Sequence, residues 1–141
     1  MPKIRVKTLP TEADEQKATE NDLIKGCLEF LSYKKIFHYR NNSGAFKTDR
    51  GGFYYFGAKG SPDIIAVLTI WGLPVMTGIE AKTKNGKQSE YQKLWQKNFE
   101  KVGGFYLLIM SLDELETKLK YVRNKALSIL SERNENKTVA L

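Results

Sequence analysis

The chain has 141 residues, 41% hydrophobic and 28% charged, which suffices for one domain with its own core and is unlike a disordered segment. A single cysteine and a single histidine exclude an internal disulfide framework and a cysteine-built zinc site, and remove most histidine metal sites. Lys plus Arg number 23 against 16 Asp plus Glu, and the net charge of +7 points to a polyanionic partner, nucleic acid first, or else to simple solubility.

Residues 1–10 read as an extended arm. They carry basic residues but no apolar stretch of the kind a secretory signal needs, so a reduced intracellular (cytoplasmic) compartment is expected. Thr11 to Leu31 is predicted helical, with Leu23, Ile24, Cys27, Leu28 and Leu31 at helical spacing. Ile36 to Tyr39 is strand-like, Asn41 to Gly52 reads as a loop, and Phe53 to Phe56 as a short strand. Ile64 to Leu68 is a continuous apolar run, the pattern of a strand buried on both faces. The longest apolar run, from Asp63 to Met76, is broken by Gly72 and Pro74 and is too short to span a bilayer.

Val75 to Lys82 is the next strand. Ser89 and Gln92 then form a capping-box pattern that opens a helix, which Gly103 and Gly104 stop. Phe105 to Met110 is a further apolar strand, and Ser111 with Glu114 repeats the capping pattern for a last helix. From about residue 131 the chain turns polar and reads as a flexible tail. Helices at both ends around central strands predict one α/β domain over 1–141, a mixed sheet flanked by helices.

Asp63, Glu80 and Lys82 carry the candidate chemistry. Glu80 and Lys82 lie two apart on one strand and so share a face. A hairpin symmetric about Gly72 would set Asp63 opposite Ala81, near both. Carboxylate oxygens suit Mg²⁺ or Mn²⁺, and the Ala81 backbone carbonyl is a further candidate ligand. With a lysine to orient water or stabilise developing charge, these parts suffice for phosphodiester hydrolysis. The plain alternative is a solvated strand face with a weak ion pair. Against it, Glu80 ends an apolar run, where an unpartnered acid is costly.

Gly60-Ser61-Pro62-Asp63, then Glu80-Ala81-Lys82, then Gln92 ahead of Gly103-Gly104, with Arg40-Asn41-Asn42-Ser43-Gly44 upstream, resembles the virus-type replication–repair nuclease (VRR-NUC) family of the PD-(D/E)XK superfamily. The similarity runs from about Glu20 to Met110. It implies a restriction-endonuclease-like fold, Asp63 and Glu80 as metal ligands, Lys82 as the catalytic lysine and Gln92 as the glutamine beside the site. Gln92 can equally serve the helix cap. The resemblance also implies an acid on the first helix near the metal, which Glu20 matches better than Glu15 or Glu12. Small members of the family are homodimers that cut four-way (Holliday) junctions and leave 5′-phosphates, in settings that include phage and prophage.

Candidate DNA-binding residues are Arg40, Asn42, Ser43, Lys47, Arg50, Lys59, Lys84 and Lys87, with Lys93 nearby. For Arg40 to Ser43 the alternative is an Asx-type turn, and for the lysines after Lys82 a solvated basic face. At least two of Phe53, Tyr54 and Tyr55 are expected in the core or a dimer interface, and Trp95, Phe99 and Val102 as the core stripe of their helix. His38 is expected as a packed strand residue. The expected function is a metal-dependent DNA endonuclease acting on branched DNA. Its alternatives are a nuclease for flaps, ends or duplex, and a non-catalytic nucleic-acid-binding module.

Overall fold

A computed structural model describes residues 11–139; the predicted arm, 1–10, lies outside them. In chain order the elements are α1 (Glu12–Tyr33), β1 (Phe37–Arg40), β2 (Gly44–Lys47), β3 (Phe53–Phe56), β4 (Ile64–Ile70), β5 (Leu73–Ala81), α2 (Glu90–Lys101), β6 (Phe105–Ile109) and α3 (Leu112–Val139). The α/β expectation holds. Four strands form a mixed sheet in the order β1-β4-β5-β6, antiparallel except for the parallel β5–β6 pair joined through α2. No helix among the described residues is long and apolar enough to cross a membrane.

The strand pattern decides which face meets which helix. Ile64, Ala66, Leu68 and Ile70 of β4, Ile79 and Ala81 of β5, and Leu107 and Ile109 of β6 point to one side. They pack against Ile24, Cys27 and Leu31 of α1 and Leu115, Leu119, Val122 and Ala126 of α3 in one continuous core. The other face carries Gly78, Glu80 and Tyr106 and is covered by α2, whose Trp95 lies 6.1 Å from the Tyr106 ring and 4.7 Å from Phe99. Val102, expected in the same stripe, is instead exposed beyond the end of α2.

Three expectations need correction. β4 and β5 meet in a two-residue turn, with Ile70 opposite Leu73 and positive φ at both Trp71 (50°) and Gly72 (74°), the backbone of a type I′ hairpin. Ile64 therefore faces Ile79, and continuing this register sets Asp63 opposite Glu80 rather than Ala81. The segment 41–52 is not simply a loop, because Gly44–Lys47 pairs with Phe53–Phe56 as a separate two-stranded sheet. The polar segment from about 131 continues α3 to Val139 rather than forming a tail.

Candidate active site

The register carries the chemistry. Directly opposed residues share a face, so Asp63 and Glu80 project together, and Lys82 follows on the same side. The one-residue shift matters, because opposite Ala81 the Asp63 side chain would have projected away from Glu80. Asp63 Oδ2 accepts a hydrogen bond from the Ala81 N–H at 2.9 Å, which fixes the acid at the mouth of the β4–β5 pair.

Glu80 is 2% exposed. Its Oε1 accepts from Gln92 Nε2 at 2.7 Å and pairs with Lys82 Nζ at 3.2 Å. Its Oε2 is buried without a hydrogen-bond partner. Burial, reinforced by the nearby Asp63 charge and opposed by Lys82, pushes the Glu80 carboxyl up to about 7. Burial also raises Asp63, against the Ala81 hydrogen bond and the Lys82 charge.

Gln92 does both things the sequence offered. Its Oε1 accepts from the Ser89 N–H at 2.9 Å while the Ser89 hydroxyl accepts from the Gln92 N–H, so the capping box at the start of α2 is complete. The amide nitrogen of the same side chain is left to hold Glu80.

The turn before β4 is locked by residues whose positions sequence patterning did not reveal. Asn41 donates from Nδ2 to Ser61 Oγ at 2.8 Å and to the Pro62 carbonyl at 2.9 Å, and its N–H reaches the Asp63 carbonyl at 2.8 Å. Gly60 sits at φ 84°, where any Cβ would collide with the Tyr91 carbonyl, so the turn can press against the start of α2. Lys59 lies 3.8 Å over the Tyr91 ring.

These contacts enclose a cleft of about 480 Å³ in which Arg40, Asn42, Ser43, Lys59, Asp63 and Gln92 are brought together. Asn41, weighed with its neighbours as a phosphate contact or a turn residue, lines it as well, as do Ser61, Ser89 and Tyr91, which the sequence did not mark as site residues. The signal was present for Ser89, as the cap, and for Ser61, as part of the turn before Asp63.

Of the central group only Asp63 and Gln92 line the cleft; Glu80, Ala81 and Lys82 adjoin them without lining it, and the other candidates fall elsewhere. Lys47 and Arg50 lie at the far end of the β2–β3 hairpin, and Lys84 and Lys87 on the exposed loop after β5; none of them lines the cleft. Glu20 belongs to the helix on the opposite face. It reaches toward the loop after β5, where a Cβ on Gly86 would stand 3.1 Å from its Oε1, and its charge helps to raise Asp63. It does not complete a cluster, because among the described residues no three His, Cys, Asp or Glu side chains converge closely enough to hold a metal ion. His38 is packed as expected, with Nδ1 2.7 Å from the Ile36 carbonyl and Nε2 3.3 Å from Ser32 Oγ.

The donor set still suits a hard cation. Mg²⁺ needs only one or two carboxylates, the rest of its shell being water and substrate oxygen. The buried Oε2 without a hydrogen-bond partner, beside a second acid, is the kind of orphaned oxygen that such an ion would satisfy. The chain matches no protein-family model, no curated protein and no solved structure.

Proposed function

We propose that the protein is a Mg²⁺- or Mn²⁺-dependent endonuclease that hydrolyses phosphodiester bonds in branched DNA, four-way junctions first. The observation that carries this reading is the buried Glu80, with Oε2 unpartnered, Oε1 tied to Lys82, and Asp63 beside it. A structural acid so placed would leave an unsatisfied buried oxygen with no compensation. The resemblance to the VRR-NUC family supports the same assignment, and the homodimer it implies would present two sites to a symmetric junction.

Asp63, Glu80 and the Ala81 carbonyl would hold the ion, which when bound polarises the scissile phosphate and supplies a more acidic water. Lys82, held by Glu80 at 3.2 Å, presents its ammonium to the charge that develops on the phosphorus oxygens and orients the attacking water. Gln92 fixes the Glu80 rotamer. Arg40, Lys59, Asn42 and Ser43 on the cleft rim position the backbone phosphates.

The test is cleavage of a junction, a flap and a linear duplex in Mg²⁺ or EDTA. Cleavage should require the divalent ion. Lys82→Ala should lower its rate by about 10²-fold or more while leaving DNA affinity intact. Binding without cleavage, insensitive to metal and unchanged in Asp63→Ala and Glu80→Ala, would make the protein a binding module instead.

A further inference from the structure

The strands of the β2–β3 hairpin contribute no residue to the cleft lining or to the Asp63–Glu80–Lys82 group. Its register puts Phe46, Tyr54 and Phe56 on one face and Lys47, Phe53 and Tyr55 on the other. All five rings are open to solvent in the single chain, from 41% exposed for Phe56 to 69% for Tyr55, so of the expected core or dimer-interface placement of Phe53, Tyr54 and Tyr55 the core half does not hold. The rings line up along each face, with Phe46 5.1 Å from Tyr54 and 6.4 Å from Phe56, and Phe53 6.4 Å from Tyr55. A two-stranded sheet wet on both sides is marginal by itself, and clustered exposed rings mark a contact surface rather than scattered surface apolarity.

Position and charge identify the occupant. Asn42 and Ser43 lead into β2, Lys59 and Gly60 follow β3, and all four line the cleft beside Asp63. The hairpin therefore rises from the cleft rim. Lys47 and Arg50 lie at its far end, and residues 40–59 hold four cations, Arg40, Lys47, Arg50 and Lys59, against the single acid Asp49. In a two-fold contact between copies these cations would meet one another, at tip and base alike. Flat rings interleaved with cations suit nucleobases on a phosphate backbone, because bases stack whatever their identity while the cations take the phosphates. Bases inside an intact duplex have no free face, so such rings select unpaired or splayed nucleotides.

We propose that the β2–β3 hairpin is a base-stacking finger that holds unpaired bases of branched DNA on Phe53, Tyr55 and the rings of its other face while the adjacent cleft receives the backbone. It deepens the nuclease reading by naming what marks the substrate, a break in base stacking beside the scissile phosphate, although stacking itself requires no cleavage.

The experiment uses the full chain in EDTA, with a four-way junction carrying 2-aminopurine at the branch point and a paired duplex of equal length. Phe53→Leu/Tyr55→Leu keeps apolar bulk but removes the flat faces. It should weaken junction binding roughly tenfold or more, leave duplex binding within about threefold, and abolish the 2-aminopurine response that the wild type gives. Tyr55→Phe should behave as wild type. The substituted side chains are exposed, so no core is opened, and circular dichroism checks the fold. Undiminished junction binding in the leucine variant would overturn the proposal. So would an equal loss on junction and duplex accompanied by a change from dimer to monomer in light scattering, which would give the rings to a second copy. A wild type that fails to cleave in Mg²⁺ but shows ring-dependent junction binding would end the nuclease reading and leave the finger standing. Metal-dependent cleavage with ring-independent binding would do the reverse.

Discussion

Glu80 sits where a neutral carboxyl is favoured over a carboxylate, and this has a consequence for stability. Its ordinary value is 4.5 and burial beside Asp63 lifts it to about 7. The unfolded chain thus releases this proton before the folded one does. The stabilisation is complete below the ordinary value and is lost as pH rises through about 7, with a magnitude of about 3 kcal/mol; Asp63, shifted in the same direction, adds to it. Urea titrations in EDTA should show the wild type less stable at pH 8 than at pH 5, and Glu80→Gln should flatten that dependence. Millimolar Mg²⁺ at pH 8 should restore stability to the wild type and not to Glu80→Gln. Gln92→Ala removes the cap and the Glu80 partner together. It should lower stability by about 1–2 kcal/mol and reduce cleavage, the first by urea denaturation and the second by the junction assay. The acids and the lysine were legible because charge at the end of an apolar run stands out in a sequence. The locking role of Asn41 was not, because its hydrogen bonds reach 20 and 21 residues ahead and no local pattern records them.

Among the elements, long helices and buried strands were legible while pairing was not. β4 is buried along nearly its whole length on both faces, so a slip of one residue changes no visible alternation, and only the Trp71-Gly72 turn fixes the register. β2 was hidden because Gly44-Ala45-Phe46-Lys47 contains one strand-favouring residue, and its extended form comes from the partner strand Phe53–Phe56. α3 outran its predicted end because its last turns are polar all round, which patterning reads as a frayed tail. The turn 60–63 makes the element-scale prediction. Gly60→Ala must place a Cβ against the Tyr91 carbonyl at a positive φ, so it should cost about 2 kcal/mol or more by urea denaturation. Because that turn and the start of α2 are two walls of the cleft, DNA affinity should fall with it.

Across the whole molecule, the net charge of +7 was the coarsest signal, and it does not by itself say which surface is used. If phosphates run from the cleft up the hairpin, the logarithm of affinity should fall linearly with the logarithm of salt concentration. Lys47→Gln/Arg50→Gln should then reduce that slope by about 2, while Lys84→Gln/Lys87→Gln, on the loop after β5 and outside the hairpin, should leave it unchanged. The two sides of the sheet are also unequally fastened. α1 and α3 share the continuous core, whereas α2 contributes no fully buried residue and is held mainly by Trp95, Phe99 and its first turn. On this side of the sheet the cheap excursion is therefore the lifting of α2, and amide deuterium uptake should be faster there than in β4, β5 or the buried turns of α3. Glu80 and Tyr106 would be wetted in that excursion while the core under α1 and α3 stayed shut, so the wall that holds the buried acid can breathe independently of the rest of the sheet.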